Sequence, residues 1–285
     1  MPTFSIAEAH IVALFLQSIF YGIFLITFAQ SLLVLRRSRR TFRQRRCSFI
    51  IALLFFIFGT LDIAFLLRQV VDAFIYYTGP GGANVRFEDI SDWGNAMRTV
   101  FYCIETSLAD GLLIYRCWIV YGRRWTIVAG LSPLWIACTV CEVIASYTEF
   151  TLNQRASLSA KELQPFITTA LTTTLALNLI ATSMIAWRIR SIRSFGESAD
   201  AINHAVRVIV ESGAMYSISV LVFFIVYLAG SNGLYAASDC AFQIIGIAFN
   251  LIIIRVERGQ TAEATSTMFS SQGDLGRGTL PFHFR

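Results

Sequence analysis

Seven stretches of this 285-residue chain are each long and apolar enough to cross a lipid bilayer as a helix. A helix needs about 20 predominantly apolar residues to traverse the hydrocarbon core, and it satisfies its own backbone polar groups as it does so. The stretches are approximately Ala9–Leu35, Cys47–Tyr77, Asn95–Val120, Trp125–Tyr147, Pro165–Ile189, Val206–Ala229 and Tyr235–Val256. Residues 1–258 are therefore expected to form an all-α, polytopic, seven-helix transmembrane domain. Residues 259–285, rich in Ser, Thr and Gly and lacking apolar periodicity, are expected to be a disordered cytosolic tail. Composition agrees, because only 14% of residues are charged, against about a quarter in a soluble domain.

Charge sets the expected orientation. Seven arginines, Arg36, Arg37, Arg39, Arg40, Arg43, Arg45 and Arg46, fall within eleven positions between the first two stretches. Arg123 and Arg124 follow the third stretch, Arg188, Arg190, Arg193 and Arg207 surround the link after the fifth, and Arg255 and Arg258 end the seventh. The intervening loops hold Arg86, Arg155 and Lys161. Basic loops stay on the cytosolic side, so the N-terminus is expected outside and the C-terminus inside. Such loops favour the anionic lipids of the inner leaflet and could also contact a cytosolic signalling protein. Read alone, the arginine run would suit nucleic acid, but hydrocarbon-compatible sequence on both sides argues against that partner. The oligomeric state stays open at this stage.

Ionisable residues within a membrane span are costly and usually face the bundle interior, so they are the candidate functional residues. Counted at about 1.5 Å per residue, Asp62 and Glu105 reach similar depths and Glu142 lies slightly higher, with Arg68 and Arg98 near the outer boundary. Asp62, Arg68, Glu105 and Glu142 are the expected ligand-facing set; the competing reading is a structural cluster in which Arg68 or Arg98 neutralises the carboxylates. Near the inner boundary, Arg116 and Glu211 match in depth and are the expected helix–helix switch pair, with Arg255 a competing partner for Glu211. Asp110, Asn178, Gln243 and Asn250 are further intramembrane polar positions; Asp110 falls between Glu105 and Arg116 in depth on another face, and interhelical hydrogen bonds would explain Asn178, Gln243 and Asn250.

Several chemistries are argued against. A retinal Schiff base needs a lysine in the last span, whereas Lys161 falls in an expected loop between spans. His10, His204 and His283 are too dispersed to converge on a metal. Cys138-Thr139-Val140-Cys141 has redox spacing, but it lies on an apolar helix without a basic activator. No Ser/His/Asp or Cys/His set can be assembled, so neither catalytic residues nor a cofactor are expected. The segment Gly79-Pro80-Gly81-Gly82 signals a turn in an outer loop rather than a phosphate cradle, because strand and lysine are missing.

Asp110-Gly111-Leu112-Leu113-Ile114-Tyr115-Arg116-Cys117-Trp118-Ile119-Val120 resembles the third-span signature of a family of seven-span membrane proteins in mushroom-forming (basidiomycete) fungi. Asn178 to Arg188, Glu211-Ser212-Gly213-Ala214-Met215-Tyr216-Ser217, and Ile244-Ile245-Gly246-Ile247 through Arg255-Val256-Glu257-Arg258-Gly259 resemble it as well. The resemblance implies seven helices and a membrane location, and brings no activity with it. Similarity to G-protein-coupled receptors is architectural only. Ile114-Tyr115-Arg116 stands where Asp-Arg-Tyr would end the third span, and the seventh has no Asn-Pro-x-x-Tyr. The expected function is a receptor-like protein of a fungal plasma membrane. The alternatives are a proton-coupled carrier using Asp62, Glu105 and Asp110, or a non-catalytic scaffold.

Overall fold

The structure, a computed structural model, describes residues 5–37, 42–80, 82–88, 93–151, 156–191 and 199–275. All regular elements among them are helical: α1 (Ile6–Arg37), α2 (Phe42–Val71) with a π-helical continuation over Asp72–Tyr76, α3 (Gly82–Glu88), α4 (Trp93–Val120), α5 (Trp125–Thr151), α6 (Ala156–Ser191), α7 (Ala199–Leu228) and α8 (Leu234–Leu275). Six of these helices are long and apolar enough to cross a membrane. Helix α4 is comparably long but is interrupted by Arg98, Glu105, Asp110 and Arg116.

Local chemistry sets the helix ends. Ser5 and Glu8 form a capping box at α1: the Glu8 amide donates to Ser5 Oγ at 3.2 Å, and the Ser5 amide donates to Glu8 Oε2 at 3.0 Å. Helix α4 stops at Gly122, which takes φ of 67°, while the Arg123 amide donates back to the Trp118 carbonyl at 2.8 Å. Helix α7 stops in the same manner at Gly230, with φ of 62°. Both positions need a left-handed residue to return donors to the last carbonyls, which glycine supplies without a Cβ clash.

Polarity is distributed inside-out relative to a water-soluble bundle. Gln17, Glu105, Asp110 and Asn250 are no more than 2% exposed, whereas Phe15, Ile26, Val143 and Ile218 are each at least 60% exposed. Helix α1 shows the pattern along one face, burying His10, Ala13, Gln17, Phe24, Thr27 and Ser31 while Ile11, Phe15, Ile19 and Ile26 point outward. That buried face packs chiefly on α8, and α8 also packs on α7. Helix α4 is enclosed by α2, α5, α6 and α8, which is why its charged side chains are interior. Phe24 fills the space opposite Gly59 and Gly246; a Cβ on Gly246 would stand 2.7 Å from its ring.

Three features differ from the sequence reading. The link between α2 and α4, expected to be a loop, contains helix α3, whose Asn84 Oδ1 accepts from the Ala7 amide at 3.1 Å and whose Arg86 pairs with Asp72 at 2.9 Å. Asp89 and Asp92 of that loop lie outside the described residues. Helix α6 begins at Ala156, so Lys161 lies on a helix rather than in a loop. Helix α8 continues to Leu275, so the backbone from Gly259 to Leu275 is helical rather than disordered. The reason is local propensity: Gln260, Ala262, Glu263, Ala264 and Met268 are helix formers, and no proline occurs between Gly259 and Pro281. Residues 276–285 lie outside the described set.

Candidate functional site

Four helices meet around one guanidinium. Arg98 of α4 donates from Nε to Asp62 Oδ1 of α2 at 2.9 Å and from Nη2 to Asp239 Oδ1 of α8 at 2.5 Å. Its Nη1 reaches Gln69 Oε1 of α2 at 3.4 Å. Gln17 of α1 closes the set, its Nε2 donating to Asp62 Oδ2. Arg98, Asp62 and Asp239 are all buried, so these charge-assisted bonds are little weakened by solvent.

The cluster is roofed by aromatic rings. His10 of α1 stacks on Phe87 of α3 at 4.1 Å between centroids and lies 4.3 Å from the Tyr235 ring of α8. His10 is also within electrostatic range of Arg98. Short helix α3 thus packs on the end of α1 that carries His10. Deeper in the bundle, Gln243 Nε2 reaches the Gly59 carbonyl at 3.4 Å, and Glu105 faces α8 where Gly246 leaves room. Glu105 is within electrostatic range of Asp62.

A second polar cluster joins α4, α6 and α7. Thr174 Oγ1 donates to Asp110 Oδ2 at 2.7 Å, and the Tyr216 hydroxyl lies 3.0 Å from Thr174 Oγ1 and 3.5 Å from Asp110 Oδ1. Glu142 of α5 belongs to this side, within electrostatic range of Asp110. Asn178, one turn beyond Thr174, accepts from Thr182 Oγ1 at 3.0 Å.

At the opposite end of the bundle from α3, Arg255 Nη1 of α8 pairs with Glu211 Oε2 of α7 at 3.0 Å. The pair is half in solvent, with Glu211 56% exposed, so it is a weak latch rather than a structural rivet. The Arg116 guanidinium lies 5.6 Å from the centre of the Phe249 ring on α8. Basic residues gather at this end: Arg36 and Arg37 close α1, Arg43, Arg45 and Arg46 open α2, and Arg188 lies over Tyr121 at 5.6 Å.

The structure therefore splits the expected ligand-facing set. Asp62 and Glu105 lie in the Arg98 neighbourhood, Glu142 lies with Asp110, and Arg68 is exposed with its guanidinium 4.8 Å from the Trp93 ring. The partner of Asp62 is Arg98, not Arg68, because Arg68 is six residues further along α2 and so points to another face. For Glu211, the realised ion pair is with the competing partner Arg255 rather than with Arg116. Sequence reasoning missed Asp239, Gln17, Thr174 and Tyr216. The first had a legible signal, since Asp239, Gln243, Gly246 and Asn250 recur at helical spacing on one face of α8. Comparison of the chain with protein-family models, curated proteins and solved structures gives no match in any of the three.

Proposed function

We propose that the chain is a receptor-like membrane protein of seven crossing helices, with its N-terminus outside and its C-terminus in the cytosol of a fungal plasma membrane. The alternation of arginine-rich and arginine-poor links supports this orientation. What supports a seventh crossing is that Arg98, Glu105 and Asp110, which break the apolar run of α4, are all buried among neighbouring helices. The basic end would then sit against anionic headgroups and any cytosolic signalling partner.

One observation carries the receptor reading. Helix α8 holds Asp239 in the ion cluster and Arg255 in the latch, and its backbone between them is an uninterrupted α-helix. Sixteen residues of helix span about 24 Å. A ligand that redistributed the bonds of Arg98 would shift Asp239, and the helix would carry that shift to Arg255 as a rigid rod. Loss of the weak Arg255–Glu211 pair would free α7 at the basic end. Spin labels at exposed Ile119 on α4 and exposed Val210 on α7 report this movement. Asp239→Asn should broaden or lengthen the Ile119–Val210 distance distribution; an unchanged distribution in a folded variant refutes the coupling.

Proton-coupled transport is favoured by a different observation, the buried carboxylate oxygens Glu105 Oε2 and Glu142 Oε2 that have no protein partner. Liposome-reconstituted protein distinguishes the two, since pH-driven solute or proton flux would replace the receptor reading with the carrier one.

A further inference from the structure

Counting charges around Arg98 exposes an imbalance. Two buried carboxylates, Asp62 and Asp239, share one guanidinium, and Glu105 stands within electrostatic range of Asp62. Among the described residues, the other arginine side chains near this end are engaged elsewhere: Arg86 with Asp72, and Arg68 over the Trp93 ring. An uncompensated negative charge in a low-dielectric interior is strongly unfavourable.

Hydrogen bonding shows the same deficit. Asp239 Oδ2, Gln17 Oε1 and Glu105 Oε2 are buried acceptor atoms without a partner, on residues that are 7%, 0% and 2% exposed. His10 Nδ1 is a fourth polar atom with no partner. Gln17 is aimed at the cluster, because its other amide atom already donates to Asp62. Native proteins satisfy the large majority of buried polar groups. A surplus made of acceptor oxygens calls for a donor or a positive charge, and it repels an anion. Water would complete the hydrogen bonds but leave the charge. Among the described residues no group of three or more His, Cys, Asp and Glu converges as a divalent metal would require.

We infer that the Asp62–Arg98–Asp239 cluster takes up one monovalent cation, a proton or an alkali-metal ion, between α1, α2, α4 and α8. An alkali ion would be held by Asp239 Oδ2 and Gln17 Oε1; a proton would reside on the carboxylates. The ion neutralises the cluster and locks the four helices together. The groups facing Asp239 are Arg98 from α4, Asp62 from α2, and Ser238 and Cys240 on its own helix; His10 of α1 lies within electrostatic range of Arg98, Gln17 of α1 donates to Asp62, and Glu105 of α4 lies within electrostatic range of Asp62. The inference does not depend on the receptor reading, because cation uptake is measured without any receptor ligand.

The test is thermal unfolding of the purified full-length protein in nanodiscs along two arms. In one, sodium chloride replaces N-methylglucamine chloride at constant ionic strength and pH; in the other, pH falls without alkali ions. A saturable rise in Tm of about 3 °C along the sodium arm identifies an alkali ion, and the same rise along the pH arm identifies a proton. Asp239→Asn leaves one carboxylate per guanidinium and should abolish the response. A flat wild-type Tm along both arms overturns the proposal, as does a response that survives unchanged in Asp239→Asn. If that variant does not fold, Gln17→Met, which keeps all charges, should move the midpoint of the responding arm at least threefold; an unmoved midpoint likewise overturns it.

Discussion

Removing the Arg98 guanidinium should damage this protein more than almost any other single change. Arg98→Met keeps much of the side-chain volume but leaves Asp62 and Asp239 buried, close together and without their counter-ion. Breaking a buried ion pair by deleting one partner costs about 3–5 kcal/mol, most of it the penalty of the abandoned charge. Two abandoned carboxylates put Arg98→Met at the upper end of that range. At about 2–4 °C per kcal/mol for a domain of this size, Tm should fall by roughly 10 °C or more. The compensating experiment separates electrostatics from packing. Arg98→Met combined with Asp62→Leu and Asp239→Leu removes every charge of the cluster, and buried ion sets replaced by apolar residues are often neutral or stabilising. The triple variant should recover most of the lost stability in detergent or nanodisc melts. The reasoning is refuted if Arg98→Met melts within a degree or two of wild type, or if the triple variant is no more stable than the single one.

Three further outcomes are expected. Charge reversal at Arg255 or Glu211 alone should cost no more than about 1 kcal/mol, because the pair is partly solvated, and the double reversal should restore the wild-type melt. Gly246→Ala should destabilise by about 1–3 kcal/mol, since its methyl would overlap the Phe24 ring, whereas Gly22→Ala, with nothing within 4 Å, should be neutral or stabilise by about 0.5–1 kcal/mol; unfolding midpoints of the two compare them directly. Thr174→Val removes the 2.7 Å bond to buried Asp110 and should cost about 1–3 kcal/mol, with Thr174→Ser retaining most of the stability.

Helices were the legible part of this chain, because a bilayer-length apolar run has few alternative structures. Helix α5 starts at Trp125 and α4 ends at Val120, as the sequence pattern suggests. Termini set by propensity rather than hydropathy were not legible, which is why α6 and α8 extend past their apolar stretches and α3 appears in a loop. Depth along a helix could be counted from sequence, but azimuth and neighbour could not. Glu142 lies only slightly higher than Asp62 by that count, yet α5 packs on α4 and α6, which places Glu142 with Asp110. Asp62 was identified as a site residue while its partner stayed ambiguous between Arg68 and Arg98, and helix phase alone disfavours Arg68. Thr174 and Tyr216 carried no signal of their own, since hydroxyl side chains are ordinary in such helices; only the convergence of α4, α6 and α7 on Asp110 reveals them.

The receptor reading, with an outside N-terminus and a cytosolic basic end, requires the two chain ends to lie on opposite sides of one membrane. Epitope tags at each terminus of the full chain, stained in intact and in permeabilised cells, measure this directly. An N-terminal tag detected in intact cells with a C-terminal tag detected only after permeabilisation is the predicted result. Both tags on the same side would contradict it, and the chain would then cross the membrane an even number of times.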